Sequence, residues 1–102
     1  ASYIVRDGRI FRIASHTPPV GIMAQLCAER IDFVFRDGDV AVMVSDGVGT
    51  ADDHLVWLYN ILTYESDLSP EELCEKIMSH SENETNSSDD TTVCAVKISL
   101  TA

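Results

Sequence analysis

Two short apolar runs open the chain, Tyr3-Ile4-Val5 and Arg9-Ile10-Phe11-Arg12-Ile13, with Asp7-Gly8 between them. That spacing predicts a hairpin closed by a tight turn. His16-Thr17-Pro18-Pro19-Val20-Gly21 reads as a loop, because successive prolines lack N–H donors and Gly21 permits positive φ. Regular structure is expected again from about residue 29. Ile31, Phe33 and Phe35 alternate with Asp32, Val34 and Arg36, the pattern of a half-buried strand. After Asp37-Gly38, the segment Val40-Ala41-Val42-Met43-Val44 is apolar on both faces, as a central strand covered from both sides requires. Helical spacing follows in Leu55, Leu58, Tyr59 and Leu62, and again in Leu73 with Ile77 and Cys74 with Met78. Thr50 with Asp53, and Ser69-Pro70-Glu71-Glu72, place a hydroxyl at each expected N-cap and an acid three residues on. Ser79 to Ser88 is polar throughout and predicts a mobile loop, and Thr91 to Leu100 closes the chain as a β-branched strand. The order predicts an α+β fold, an antiparallel sheet flanked by helices, with residues 1–102 forming one domain.

Charge sharpens this picture. The net charge is -10, from 7 Lys and Arg against 17 Asp and Glu. Such a surface repels nucleic acid and anionic membranes, so no nucleic acid and no membrane contact is expected of this segment. Residues 1–36 carry five Arg against three acids, so the acidic chemistry lies further along the chain. Cys27, Cys74 and Cys94 form no CxxC pair and each adjoins apolar residues, which predicts buried thiols in a reducing compartment. The sequons Asn83-Glu84-Thr85 and Asn86-Ser87-Ser88 follow no secretory signal and read as polar loop. Because a strand begins almost at Ala1, the chain is expected to be a piece of a longer one.

Candidate chemistry centres on acids at strand ends. Asp46-Gly47 directly follow the most apolar strand, and Asp89-Asp90 directly precede the last. If those two strands are antiparallel neighbours, the exit of one and the entry of the other share one rim of the sheet. Carboxylates brought together there repel unless a cation neutralises them. Oxygen ligands without neighbouring His or Cys suit Mg²⁺ or Mn²⁺ rather than zinc or copper. A turn at Asp46-Gly47 and a loop cap at Asp89-Asp90 would explain the same residues without any metal.

Three segments together carry a resemblance: Pro19-Val20-Gly21-Ile22, then Gly38-Asp39 leading through Val40–Val44 to Ser45-Asp46-Gly47-Val48, then Asp89-Asp90-Thr91-Thr92-Val93. In that order and at that distance they resemble the metal-dependent (PPM-type) serine/threonine phosphatases. Within them the chain is most similar to the phosphatase domain of the stage II sporulation protein E type, over nearly its whole length. The resemblance implies an αββα sandwich of which this chain is the C-terminal part. It also implies two Mn²⁺ or Mg²⁺ ions in the complete domain, which activate a water for in-line attack on a phosphoserine or phosphothreonine. Asp46 and Asp89 match two metal-binding aspartates of the family, Asp90 the supporting position beside the second, and Gly47 and Ser45 the backbone that shapes the site. The implied substrate is a phosphorylated anti-sigma-factor antagonist, and the implied role is control of sigma-factor activity in an endospore-forming bacterium. A cytoplasmic location is implied too, with membrane-spanning segments of a parent protein absent here. The earlier acidic motifs of the family lie upstream of the matched region, and neither Asp7-Gly8 nor Asp37-Gly38 replaces them. Alone, the chain is therefore expected to bind metal weakly and turn over slowly or not at all. Uncovered sheet edges and apolar faces would favour self-association, with a homodimer as the simplest product.

Other features carry less. Gly47-Val48-Gly49-Thr50-Ala51-Asp52 departs from a dinucleotide loop by placing acids where a pyrophosphate would sit. His16, His54 and His80 share no metal-ligand spacing, and no EF-hand loop supports a Ca²⁺ domain. Trp57 and Tyr59 read as packing residues of the first helix, Met23 as a loop-end packing residue, and Glu71, Glu72 and Glu75 as a solvated helix face. The alternative to catalysis is a non-catalytic phosphatase-like regulatory or interaction module.

Overall fold

A computed structural model describes residues 2–13, 30–45, 48, 55–84 and 90–100, with residues 82–84 described by backbone alone. The elements run β1 (Ser2–Arg6), β2 (Arg9–Ile13), β3 (Val40–Val44), α1 (Val56–Tyr64), α2 (Pro70–Glu84) and β4 (Val93–Lys97). The strands form one sheet in the order β2-β1-β3-β4, every pairing antiparallel. Asp7 at φ 48° and Gly8 at φ 76° make the β1–β2 turn left-handed at both central positions, the geometry that matches strand twist in a two-residue hairpin.

Register gives the sheet two unlike faces. Tyr3 pairs with Val42 and Val5 with Val40, and Val42 and Val44 oppose Ala95 and Val93. This face, with Val48, lies against Leu58, Ile61 and Leu62 of α1 and Leu73 and Ile77 of α2, forming one buried cluster. Each large side chain removed from water there contributes about 1.5–3 kcal/mol. Tyr59 meets Tyr3 edge to face at 5.7 Å between ring centres, and Trp57 stacks on His80, so Trp57 and Tyr59 of α1 pack as the sequence predicts. Lys76 of α2 pairs with Glu65 just beyond α1. The predicted helix start at Ser69 is present: its hydroxyl accepts from the Glu72 N–H at 3.2 Å, and Pro70 occupies the first helical position.

Several expectations need correction. Residues 30–36 join no strand, although their alternation suggests one. Two of their backbone groups are taken by side chains: Arg6 Nη2 donates to the Val34 carbonyl at 2.9 Å, and the Arg36 N–H donates to Asp39 Oδ2 at 2.8 Å. Asp37-Gly38 is thus a turn without a hairpin. The stretch from Ser79 is not a loop at its start, because α2 continues to Glu84 with Ser81 buried and His80 held against Trp57. α1 begins at Val56 with Leu55 at the N-cap and no side-chain cap, so Thr50 does not cap it; Thr50 and Asp53 themselves lie outside the described residues. Val40–Val44 is not covered on both sides throughout, since Met43 is exposed. Cys94 is exposed on the same face as Met43 and Cys74 is half-buried, so the thiols are not uniformly interior; Cys27 lies outside the described residues. No described helix is long and apolar enough to cross a membrane.

Candidate functional site

The two ends of β3 hold different chemistry, and the strand's own sequence dictates which. Five consecutive apolar residues cross the core, so polar groups collect before Val40 and after Val44. At 3.2–3.4 Å per residue these groups stand on the order of 20 Å apart.

Before Val40 stands Asp39, 1% exposed. A buried carboxylate is tolerated only when fully bonded. Here Arg6 supplies Nε to Oδ1 at 2.9 Å and Nη2 to Oδ2 at 2.7 Å, and the Arg36 N–H adds a third bond. The guanidinium also lies 5.1 Å from the Phe33 ring centre and 5.8 Å from that of Phe11, within cation–π range. Hydrogen bonding from Arg6 lowers the Asp39 pKa to about 2 against the opposing effect of burial. The arrangement fastens β1, β3 and residues 33–36 together, and its burial closes the carboxylate to a ligand from solvent. This pair is absent from the sequence reading, which uses Gly38-Asp39 only as motif; an Arg at the end of one strand and an Asp at the start of its neighbour is too common a pattern to mark it.

After Val44 the chain reaches the rim that it shares with β4. Val44 pairs with Val93, and the Ser45 N–H donates to the Thr92 carbonyl at 3.0 Å, extending the ladder one step past both strands. The Ser45 hydroxyl then bonds across the gap twice. It accepts from the Thr92 N–H at 2.8 Å and donates to the Asp90 carbonyl at 3.3 Å. The Val48 N–H returns to the Ser45 carbonyl at 3.1 Å, folding the chain back over a fully buried Val48 side chain. Ser45 is therefore a clasp between the exit of β3 and the entry of β4. Asp90 is exposed there, its carboxylate free to face solvent or an ion.

Of the predicted site residues, the structure brings together Ser45 and Asp90. Asp46, Gly47 and Asp89 lie outside the described residues. Among the described residues no group of three or more His, Cys, Asp and Glu side chains is clustered as metal ligands. The polar side chains described at this rim, Ser45, Asp90, Thr91 and Thr92, offer oxygen alone, which fits a hard divalent cation and not a thiophilic one. Cys74 lies close by, its Sγ 3.8 Å from the Val93 carbonyl, but burial pushes its thiol pKa up and keeps it protonated. His80 stacks on Trp57, and His16 and His54 lie outside the described residues.

Comparison with protein families matches residues 1–99 to the model of stage II sporulation protein E (SpoIIE). Among solved structures, the chain is similar to the phosphatase domain of the cell fate determinant SpoIIE from Bacillus subtilis. The TM-score is 0.73 at 20% identity, covering 99% of this chain and 49% of that one. A manganese-presoaked structure of the same domain gives a TM-score of 0.72 at 22% identity, covering 99% and 47%. The likeness is one of fold, and the chain spans about half the length of the domain it matches. Comparison with curated proteins gives no match.

Proposed function

From the premise that the chain belongs to the stage II sporulation protein E family, we propose that it is part of a metal-dependent protein serine/threonine phosphatase. The reaction is hydrolysis of phosphoserine on an anti-sigma-factor antagonist, on the cytoplasmic side of the membrane. One observation carries the site assignment: the Ser45 hydroxyl bonds to both Asp90 and Thr92 across the rim. Asp46 follows Ser45 by one peptide bond and Asp89 precedes Asp90 by one, so the clasp sets the span over which the two candidate ligands can meet.

Asp46 and Asp89 would hold Mn²⁺ or Mg²⁺, with Asp90 in a supporting position and Gly47 and Ser45 shaping the backbone. When bound, such a cation supplies Lewis acidity, lowering the pKa of a water and offsetting charge on phosphoryl oxygens. The chain's own contribution is geometric and electrostatic. Two carboxylates held 4 Å apart repel by about 4 kcal/mol at an effective dielectric of 20. A rim that fixed them together would have a standing preference for a divalent ion. In this reading Gly47 would shape the backbone beyond the strand, and the Ser45 clasp, by tying the exit of β3 to the entry of β4, would limit how far the two carboxylates could separate.

Calorimetric titration of Mn²⁺ into the chain, beside Asp46→Asn and Asp89→Asn, tests the assignment. Weak binding that disappears in both variants supports it, and unchanged binding in both removes it. Hydrolysis of a phosphoserine peptide by the 102-residue chain is expected to be slow or absent, because the complete site draws acids from the part of such a domain that this chain does not span. Rapid turnover would contradict that division of ligands.

A further inference from the structure

Register sets like charges side by side at the hairpin end of the sheet. Arg6 of β1 and Arg9 of β2 are direct partners across the ladder, an opposition that destabilises a sheet unless something neutralises it. Arg36 is brought alongside them, its backbone N–H held by Asp39 Oδ2. Together with Asp7 and Phe11, these three arginines line one cavity of about 470 Å³. Three of the 7 Lys and Arg side chains of a chain with net charge -10 thus converge on one spot. Asp39 neutralises Arg6, and Asp7 offsets one of the other two charges, so the cavity stays net positive. Arg9 and Arg36 form no ion pair among the described residues. Arg6 uses Nε and Nη2 on Asp39 and Val34, which leaves its Nη1 without a bond among the described residues. Ile4, Ala41 and Met43, on the sheet face turned away from the helices, line a separate groove.

We propose that this cavity binds a small phosphate monoester, its phosphate between Arg9 and Arg36 and its organic portion against Phe11. Each guanidinium presents N–H donors in a planar fork that matches oxyanions. A carboxylate has two oxygens and is saturated by one or two such forks. A phosphate monoester carries three acceptor oxygens and about 1.5 to 2 negative charges near neutral pH, so it engages Arg9 and Arg36 together and leaves an oxygen for Arg6 Nη1. Its charge relieves the repulsion that the register builds in. The cavity falls within the roughly 300–1,000 Å³ of small-molecule sites, more room than a bare ion fills. Phe11, two residues along β2 from Arg9 and therefore on the same side of the strand, supplies an apolar wall. The Arg6–Asp39 pair, which fastens residues 33–36 to the sheet, holds the Arg36 side of the cavity in place. The site stands at the opposite end of β3 from the Ser45 rim, on the order of 20 Å away.

This site goes beyond the phosphatase reading and does not rest on it, and its test needs no metal and no turnover. Phenylphosphonate, a non-hydrolysable analogue of such an ester, is titrated calorimetrically into the chain with EDTA present and ionic strength matched. Saturable one-to-one binding is expected, tighter than that of inorganic phosphate or benzoate. The same titration of ¹⁵N-labelled chain should shift the amide signals of Arg9, Phe11 and Arg36 and leave those of Ser45 and Asp90 in place. Arg9→Gln and Arg36→Gln, at exposed positions, should keep the native circular dichroism and each weaken binding about tenfold or more. Arg12→Gln, exposed on β2 but outside the cavity lining, should leave the affinity unchanged. Asp7→Asn removes the acid from the lining at a left-handed position that Asn tolerates, and should tighten binding. A longer chain carrying the complete domain should bind the probe as well. Absence of saturable binding, benzoate or inorganic phosphate binding as tightly as phenylphosphonate, or Arg9→Gln and Arg36→Gln behaving as Arg12→Gln would overturn the proposal. So would loss of binding in the complete domain, where an acid of the remaining half would then occupy the arginines.

Discussion

Asp39→Asn isolates the ion pair that ties β1, β3 and residues 33–36 together. The substitution keeps size and shape but leaves one acceptor oxygen where the carboxylate has two. Asp39 Oδ1 accepts from Arg6 Nε, while Oδ2 accepts from both Arg6 Nη2 and the Arg36 N–H. An amide NH₂ in the Oδ2 position would face two donors. Removing one partner of a buried pair costs about 3–5 kcal/mol. Because the Arg6 side chain is 16% exposed and water can reach part of the guanidinium, the lower figure of about 3 kcal/mol applies. For a domain of this size, with roughly 5–15 kcal/mol in total, that is a large fraction. Urea denaturation at pH 7 should show the midpoint falling by about 1–2 M for an m-value of about 2 kcal/mol/M. The pH dependence has a defined sign. The carboxyl pKa falls from 3.8 to about 2 on folding, so its contribution is fully present above pH 3.8 and is lost as pH drops from 3.8 toward 2. The gap between wild type and Asp39→Asn should therefore narrow through that window. In a double-mutant cycle, Arg6→Met should cost far less in the Asn background than in the wild type. A loss under about 0.5 kcal/mol at pH 7, or a gap indifferent to acid, would refute the reasoning.

Ser45→Ala removes the hydroxyl that bridges Asp90 and Thr92; it should cost about 1 kcal/mol by thermal denaturation and weaken Mn²⁺ binding beyond what that loss explains. Ser69→Ala deletes the α2 cap and should cost about 1 kcal/mol while leaving metal binding unchanged. Leu73→Ala opens a cavity where α2 meets the sheet and should cost about 2–5 kcal/mol; a loss below 1 kcal/mol would mean that the helix is not anchored there.

Elements set by local chemistry are legible in the sequence. Asp7-Gly8 specifies its turn through two left-handed residues, Ser69-Pro70 specifies the start of α2, and the apolar run of Val40–Val44 specifies a central strand. What stays hidden depends on partners distant in sequence. The alternation of Ile31, Phe33 and Phe35 records that one side faces apolar surface, but it cannot show that Arg6 and Asp39 occupy two of the backbone groups a neighbouring strand would need. Likewise, nothing local in Ser79, His80 and Ser81 favours a helix, whereas stacking on Trp57 and burial of Ser81 extend α2 through them. For the candidate site, the sequence supplies the acids at the strand ends, and the antiparallel pairing of β3 with β4 supplies the shared rim. The use of the Ser45 hydroxyl as a clasp has no signature in residue type alone.

Paramagnetic broadening is the most direct probe of the shared rim. Substoichiometric Mn²⁺ added to ¹⁵N-labelled chain should selectively erase the amide signals of Ser45, Val48, Asp90 and Thr92, while those of Gly8, Asp39 and Lys97, at the far end of the sheet, stay sharp. Broadening centred on Glu71 and Glu72 at the start of α2, or spread evenly over the acidic surface, would contradict the account.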